Sequence, residues 1–378
     1  MRKKASIAIL SILALTLPFR TLLTLQGTSV KVSIGDFIIA ASFSLVLVSF
    51  FRPVVPRYVI YILGLFVWIP VSLFFADDPD LIAALSEFIK LAGSVAWLII
   101  PYILLKSNTK QKMAIFSVVS IATASGVAFH SIFQRFILFQ SRPDSVFVNS
   151  NLFSAYLSFN LFLLVYIYCS KEEHRIQPGV FQMIVASTLI TAILVSGSRS
   201  GLAGPVICAV VFYFYARNSI NKTARVTIYA LTGGISIVYI ILNPALVERL
   251  IEPITSGGES GLGKRQRLWT LGIDAWLEES ITGIGYGQFE QRFTTEIGLH
   301  NTYLIYLVET GIVGLVLFAS AVISPVIGSV RHYSKEPTAF IFAAYITFLL
   351  IHGIFHGVDN YRTLWFSIGI VAAIVIPE

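Results

Sequence analysis

Residues 311–330 read GIVGLVLFASAVISPVIGSV and contain no charged side chain. A helix that crosses the hydrocarbon layer of a membrane needs about 20 apolar residues, because that layer is roughly 30 Å thick. Stretches of this kind recur along the chain, and we count about twelve of them. Their apolar cores cover approximately residues 5–25, 34–51, 57–75, 84–105, 112–133, 150–169, 180–197, 200–216, 224–242, 311–330, 337–356 and 362–376. The sequence therefore predicts a polytopic membrane protein.

The composition supports the same class of protein. Hydrophobic residues make up 56% of the 378 residues and charged residues 12%, whereas soluble domains carry about 25% charged residues. The mean hydropathy is +0.80. The apolar runs lack the period-two alternation of barrel strands, and helices satisfy their own backbone groups in lipid. We predict an all-α fold in which residues 1–378 form a single transmembrane domain.

The distribution of Lys and Arg predicts the orientation. If the chain starts in the cytoplasm, the cytoplasmic connections carry about twice as many cations as the outer ones. Both termini are therefore predicted to be cytoplasmic, and the first apolar run is interpreted as an uncleaved span because no small-residue cleavage pattern follows it. These topology-setting cations explain most of the net charge of +7, so nucleic acid is not expected as a partner.

The same orientation places a large loop, residues 243–310, on the outer face. It contains an amphipathic pattern from Arg267 to Glu279, in which Trp269, Ile273 and Trp276 share one helical face. Tryptophans on such a face favour the membrane interface. We therefore predict a large periplasmic loop with amphipathic helices inserted in it.

Cations gather on this outer face. Arg265 and Arg267, in GKRQRLW, precede the predicted helix, where free backbone N–H groups also favour an anion. Arg199, in SGSRSG, lies between two apolar segments, where a cation costs about 2.5–3.5 kcal/mol at mid-membrane and less near the edge. His300 closes the same loop. The alternatives are a solvated basic turn that touches lipid head groups, a snorkelling Arg199 and a structural His300.

Four segments in this order resemble the O-antigen ligase and polymerase superfamily: SGSRSG, GKRQRLW, GIGYGQF and HNTYLIYLVETG. FVNSNLFSAYL (147–157) is also similar to a segment of that family, and the resemblance covers roughly residues 140–330. Two positions depart from the pattern. Ser280 stands where Pro is usual before the glycine run, and Ser150 replaces Pro between Asn149 and Asn151, which affects the expected loop shape rather than the chemistry.

The resemblance implies a transferase of the glycosyltransferase C-like fold in a bacterial inner membrane. It would move a glycan from a polyprenyl (undecaprenyl) pyrophosphate carrier to an acceptor hydroxyl at the periplasmic face, with no metal or other cofactor. Arg199 and Arg265 would hold the pyrophosphate, and His300 would act at the acceptor hydroxyl. The expected partners are a lipid-linked oligosaccharide, a glycan or lipid A-core acceptor and membrane lipids. Further candidates for substrate binding are Arg267, Lys264, Arg142, Arg135, Asn301 and Tyr303.

The sequence is also compatible with other functions. O-antigen or exopolysaccharide polymerisation uses the same donor chemistry as ligation, and we favour the ligase. A transporter or flippase also suits about twelve spans, although paired half-repeats with broken midplane helices are not evident. His352 and His356, at i and i+4 with Asp359 nearby, could hold a metal, or could form a polar helix end in which Asp359 pairs with Arg362 or the cationic site. The DDPD turn, 77–80, is interpreted as a solvated loop rather than a metal site.

Overall fold

The computed structural model describes residues 2–18, 23–24, 31–32, 56, 58–105, 109–140, 143–147, 149–169, 180–216, 233–234, 261–295, 298–334 and 336–375. The α-helices within them are α1 (Arg2–Thr16), α2 (Val59–Phe74), α3 (Leu81–Leu105), α4 (Thr109–Phe136), α5 (Ser150–Cys169), α6 (Val180–Val195), α7 (Ala203–Ala216), α8 (Gly261–Glu278), α9 (Phe289–Arg292), α10 (Thr302–Arg331), α11 (Pro337–His352) and α12 (Arg362–Val375). A 3₁₀ turn, Ser200–Leu202, precedes α7. A short antiparallel ladder pairs β1 (Leu23–Thr24) with β2 (Lys31–Val32).

The helices agree with most of the predicted apolar cores. α3, α4, α5 and α10 are each long and apolar enough to cross a membrane, and shorter apolar helices accompany them. The predicted core at 34–51 lies outside the described residues, as does the core at 224–242 apart from residues 233–234. The chain is thus largely helical with several candidate spans, as the hydropathy pattern predicts.

Three predicted boundaries are wrong. The first span was expected to run to residue 25, but α1 ends at Thr16 and a strand occupies Leu23–Thr24. The core at 337–356 is shorter than expected, because α11 ends at His352. The large loop was expected to end at residue 310, but α10 already begins at Thr302, where the Asn301 side chain caps it. Capping bonds to backbone N–H groups, rather than hydropathy, set this last boundary.

Helix packing forms one large apolar core. α12 packs against α3, α10 against α2, α4 against α6, and α11 against both α10 and α12. The core is rich in aromatic side chains, among which Phe116 stacks on Phe366 with ring centroids 4.6 Å apart. This bundle carries the candidate site on loops and helix ends, because α10, α11 and α12 begin or end beside it.

Helix α10 is broken at Gly311, which has φ 66° and ψ −172°. In an unbroken α-helix the N–H of Ile312 would donate to the carbonyl of Val308. Here Ile312 donates instead to Ser280 O (3.0 Å), and Val308 O accepts the N–H of Ile284 (2.9 Å). The Thr310 carbonyl accepts from Trp68 Nε1 (2.7 Å). The break therefore exchanges a bond within the helix for bonds to residues 280–284 and to α2.

These hydrogen bonds hold residues 280–284 against α10. The same part of the chain packs around a small apolar cluster of its own. The cluster contains Ala275, Ile284, Phe289, Leu299 and Val308, with Trp269 and Trp276 packed against it. The tryptophan face of α8 is predicted to lie on the membrane interface, and in the structure both indoles donate to the carbonyls of Leu299 and Ser280. This face packs toward α10, Phe289 and Leu299, and its place at a membrane interface stays a prediction.

Replacing Gly311 with alanine should destabilise the protein. An added Cβ would lie 1.9 Å from the carbonyl oxygen of Ile281, and the backbone conformation alone costs a non-glycine residue about 1–3 kcal/mol. We expect a lower thermal unfolding midpoint for Gly311→Ala in purified, detergent-solubilised protein. Gly328→Ala in the same helix is the matched control, since nothing lies within 4 Å of its added Cβ. Equal midpoints for the two variants would contradict this interpretation of the break.

Candidate functional site

Arg199 lies in a tight turn between α6 and the 3₁₀ turn that leads into α7. The residues on both sides of it are bonded to other elements. Ser198 Oγ donates to Asn151 Oδ1 on α5 (2.8 Å), and Ser200 Oγ is 3.0 Å from His356 Nε2. The Arg199 side chain is exposed. The short apolar-to-apolar connection predicted for this arginine is therefore present, with its backbone held and its guanidinium accessible.

Glycines let this turn approach α5 closely. An added Cβ would lie 2.2 Å from Ser154 Oγ at Gly201 and 2.1 Å from Ser158 Oγ at Gly204. Small residues at a helix contact let the two backbones approach, which is common within membranes. At the N-terminal end of α5, Asn151 reaches the turn. Asn149 caps α5 by accepting the N–H of Leu152 (2.8 Å), so both asparagines of FVNSN shape this region.

Arg265 lies on α8, which begins at Gly261, six residues before the predicted start at Arg267. Arg265 is therefore within the helix and not at its first free N–H groups, so the expected anion site at the helix start is not where the arginines lie. One turn later, Trp269 donates to Leu299 O (2.8 Å), which brings this part of α8 beside His300. Burial lowers the pKa of the half-buried Arg265, and the nearby positive charge of Arg199 lowers it further.

His300 adopts a left-handed backbone conformation, with φ 47°. Such conformations are uncommon outside glycine and cluster at functional sites. Partial burial lowers the pKa of His300, and the positive charge of Arg265 lowers it further. Arg265 thus interacts electrostatically with both Arg199 and His300, and we call these three side chains the Arg–Arg–His group.

His300 also lines a pocket of about 690 Å³. The walls of this acidic pocket carry five carboxyl groups, together with aromatic and amide side chains. They include Asp80, Ser86, Glu87, Tyr286, Phe289, Glu290, Gln291, His300, Glu309, Asp359 and Asn360. Burial raises the pKa of Asp359 to about 6, and the negative charge of Glu87 contributes to the shift. His300 therefore stands between a cationic region and a strongly acidic one.

Glu309 joins this pocket to the break in α10. Its carboxylate accepts the backbone N–H groups of Gly287 (2.9 Å) and Phe289 (3.3 Å). Gly283, Gly285 and Gly287, the glycines of GIGYG, all have positive φ, which suits the tight path of this loop. The motif HNTYLIYLVETG thus contributes a pocket carboxylate as well as His300.

The other predicted substrate-binding residues are not all brought to this group. Asn301 accepts the N–H groups of Tyr303 and Leu304 as the cap of α10, and the Tyr303 hydroxyl donates to Leu350 O (2.6 Å). Both side chains therefore make structural bonds beside His300. Arg267 is exposed on α8. Arg135, at the end of α4, donates to Gln140 O (3.1 Å).

Arg142 and Lys264 are the two remaining candidates. Arg142 lies outside the described residues, and for Lys264 only the helical backbone is described. The DDPD turn is exposed, as expected of a solvated loop. Its Asp80 nevertheless caps α3 through Oδ1 and exchanges backbone bonds with the Gln288 side chain, so the turn is joined to the acidic pocket.

His352 and His356 do not share a helical face, since α11 ends at His352. Their rings still approach, with centroids 4.6 Å apart. The ring nitrogens of His356 face Asn151 and Ser200, and Asp359 lies in the acidic pocket. The Arg362 guanidinium lies 5.5 Å from the centre of the Trp97 ring. Among the residues that the structure describes, no cluster of three His, Cys, Asp or Glu side chains has the geometry to hold a metal ion.

Sequence reasoning missed the acidic pocket. Glu87, Glu290, Glu309 and Asp359 come from four separate parts of the chain, and only the fold brings them together. One signal was available: Glu309 and Asp359 are carboxyl groups placed among apolar residues, which is costly unless they have partners or a function.

Comparison with known proteins agrees with the motifs. Residues 184–319 match the family model described as O-antigen ligase. The match supports membership in the O-antigen ligase superfamily. The matched segment contains Arg199, Arg265 and His300, and over these residues it confirms the resemblance seen in the sequence. Together with the apolar helices, it supports a membrane protein of the O-antigen ligase type.

A relative from Haemophilus influenzae, described as an uncharacterized protein, is 25% identical to the chain over 269 residues. The aligned region covers 63% of this chain and 65% of the relative. The chain thus spans less than two thirds of the length of that protein, whose description states no activity.

The charge of Arg265 should control the protonation of His300. With a pKa below the usual 6.5, His300 stays neutral to lower pH than a free histidine. We expect Arg265→Gln to raise this pKa, because it removes the second cause of the shift and leaves burial in place. Histidine NMR titration of the purified protein measures it, with His300→Gln to assign the signal. Arg267→Gln removes the same charge two residues away and should leave the pKa unchanged; an equal effect of both variants would contradict the assigned coupling.

Proposed function

We propose that this protein is a membrane glycosyltransferase that moves a glycan from a polyprenyl pyrophosphate carrier to an acceptor hydroxyl, as an O-antigen ligase does. The observation that carries the proposal is the Arg–Arg–His group at the edge of the acidic pocket. The match of residues 184–319 to the O-antigen ligase family supports it. We further propose that the reaction takes place at the periplasmic face of a bacterial inner membrane.

The two arginines suit a pyrophosphate. A guanidinium binds phosphate oxygens in a bidentate manner and keeps its charge at any physiological pH, even where burial and a second cation lower the pKa. Two cations that repel each other are stabilised when an anion binds between them. In the proposed reaction Arg199 and Arg265 hold the pyrophosphate and stabilise the negative charge that gathers on it as the sugar leaves.

His300 suits the proton transfer. The acceptor hydroxyl oxygen attacks the anomeric carbon, the bond from that carbon to the pyrophosphate oxygen breaks, and the lipid pyrophosphate leaves with the bonding electrons. The hydroxyl proton passes to a ring nitrogen of His300, which the lowered pKa keeps neutral and able to accept it. The proposed step assigns the proton transfer and the charge stabilisation to side chains alone.

The acidic pocket suits the acceptor. Its carboxylates and amides can accept and donate hydrogen bonds to sugar hydroxyls, and Tyr286 and Phe289 offer aromatic surface. Its negative charge disfavours a pyrophosphate, so the donor head group is directed to the arginines and the acceptor to the other side of His300. This arrangement would orient the two substrates before the reaction.

Replacing His300 should abolish the transfer. We expect His300→Ala to lower the rate at least about 100-fold, the usual contribution of a general base, while the thermal unfolding midpoint stays close to that of wild type. The assay follows transfer of glycan from a purified polyprenyl pyrophosphate-linked oligosaccharide in detergent or liposomes. A folded His300→Ala protein that turns over at the wild-type rate would refute the role.

Replacing Arg265 should weaken donor binding. The loss of a charge-assisted contact corresponds to roughly a 10- to 100-fold rise in the donor Kd for Arg265→Gln. Arg331→Gln, which removes an exposed arginine at the other end of α10, is the matched control and should bind donor as wild type does. Unchanged donor affinity in the Arg265 variant would argue against a pyrophosphate contact.

The acceptor decides between ligation and polymerisation. Supplying the same lipid-linked donor with either a lipid A-core glycan or a second lipid-linked repeat, and identifying the product, separates the two. We expect product from the lipid A-core or another terminal glycan. Product only from the second lipid-linked repeat would instead identify a polymerase of the same superfamily. Movement of the substrate across liposomes without covalent transfer would identify a transporter.

A further inference from the structure

The turn that carries Arg199 is held by a network of polar side chains. Ser198, before the arginine, donates to Asn151 Oδ1 (2.8 Å), and Ser200, after it, is 3.0 Å from His356 Nε2. Asn151 Nδ2 is 3.3 Å from His356 Nδ1, which closes the network behind the turn. Asn151 and His356 therefore contact each other. Asn151 also contacts Ser198, and His356 contacts Ser200.

The bonds within this network define the protonation of His356. An asparagine Nδ2 can only donate, so His356 Nδ1 accepts and carries no proton. A neutral histidine then carries its proton on Nε2, which donates to Ser200 Oγ. The other amide atom of Asn151, Oδ1, accepts from Ser198. Each side chain in the network is matched in donor and acceptor character.

The backbone of His356 reaches the other part of the candidate site. Its carbonyl accepts the hydroxyl of Thr302 (2.7 Å), two residues after His300. The same hydroxyl accepts the N–H of Val358 (2.9 Å), and the N–H of Thr302 donates to Gly353 O (2.9 Å). One residue, His356, thus contacts the turn of Arg199 through its ring and the start of α10 through its backbone.

We infer that His356, paired with Asn151, is a positioning residue that holds Arg199 in register with His300. The inference rests on the proposed function. His356 is only 9% exposed, so its ring acts on the substrate through Arg199 and not by contact. Fixed geometry matters because a displacement of about 1 Å at a reacting group can cost roughly 100-fold in rate. His356, one of the two histidines whose spacing suggested a metal site, bonds to the arginine turn.

The test separates positioning from general stability. His356→Leu removes both ring bonds, and His356→Gln keeps one acceptor and one donor. We expect His356→Leu to lower kcat roughly 10- to 100-fold and raise the KM for the lipid-linked donor, with the KM for the acceptor unchanged. His356→Gln should recover a large part of the loss. His332→Leu, the same replacement at the far end of α10, should leave all three parameters at wild-type values.

A double-mutant cycle identifies the route of the effect. If His356 acts through Arg199, then Arg199→Gln combined with His356→Leu is no slower than Arg199→Gln alone. Additive losses, equal changes in the KM values of donor and acceptor, or wild-type kinetics in His356→Leu would each overturn the inference.

Binding of inorganic pyrophosphate gives a readout without turnover. We expect wild type to bind it and His356→Leu to bind it as weakly as Arg199→Gln does. If wild type transfers glycan and binds pyrophosphate, and His356→Leu matches it in both, the positioning role is refuted while the proposed function stands. If wild type neither transfers nor binds, the proposed function itself fails.

Discussion

The break in α10 at Gly311 is the constraint on which the site depends. Inside a membrane protein, each backbone group that leaves a helix needs another partner, because lipid supplies none. The carbonyl of Val308 and the N–H of Ile312 find theirs in Ile284 and Ser280. The connecting segment is thereby anchored to a long apolar helix by main-chain bonds.

This anchoring places the acidic pocket and the Arg265 turn of α8 beside the same residue, His300. Glu309, just before the break, binds the glycine loop and lines the acidic pocket, while Trp269 draws the Arg265 turn of α8 toward Leu299. His300 lies where the two regions meet and has a left-handed backbone conformation. The site therefore combines two arginines with a pocket lined by carboxyl groups, and His300 adjoins both.

Several polar residues in the helical part make structural hydrogen bonds that a hydropathy pattern does not predict. Asn301, expected to bind substrate, caps α10, and Tyr303 bonds to α11. His352 and His356, which suggested metal ligands by spacing, lie at and beyond the end of α11. Spacing along a chain predicts a shared face only where the helix continues, and a helix end depends on contacts that its own sequence does not contain.

The sequence by itself determined the class of the protein, most of its apolar helices and the short turn that carries Arg199, because hydropathy and turn chemistry are local properties. Its ordered motifs also predicted Arg199, Arg265 and His300 as site residues, and in the fold Arg265 lies within electrostatic reach of the other two. Only the tertiary structure decided that Glu87, Glu309 and Asp359 share a pocket with His300, and that His356 supports the arginine turn. These contacts join residues tens to hundreds of positions apart, and they follow from the packing of whole helices rather than from any local pattern.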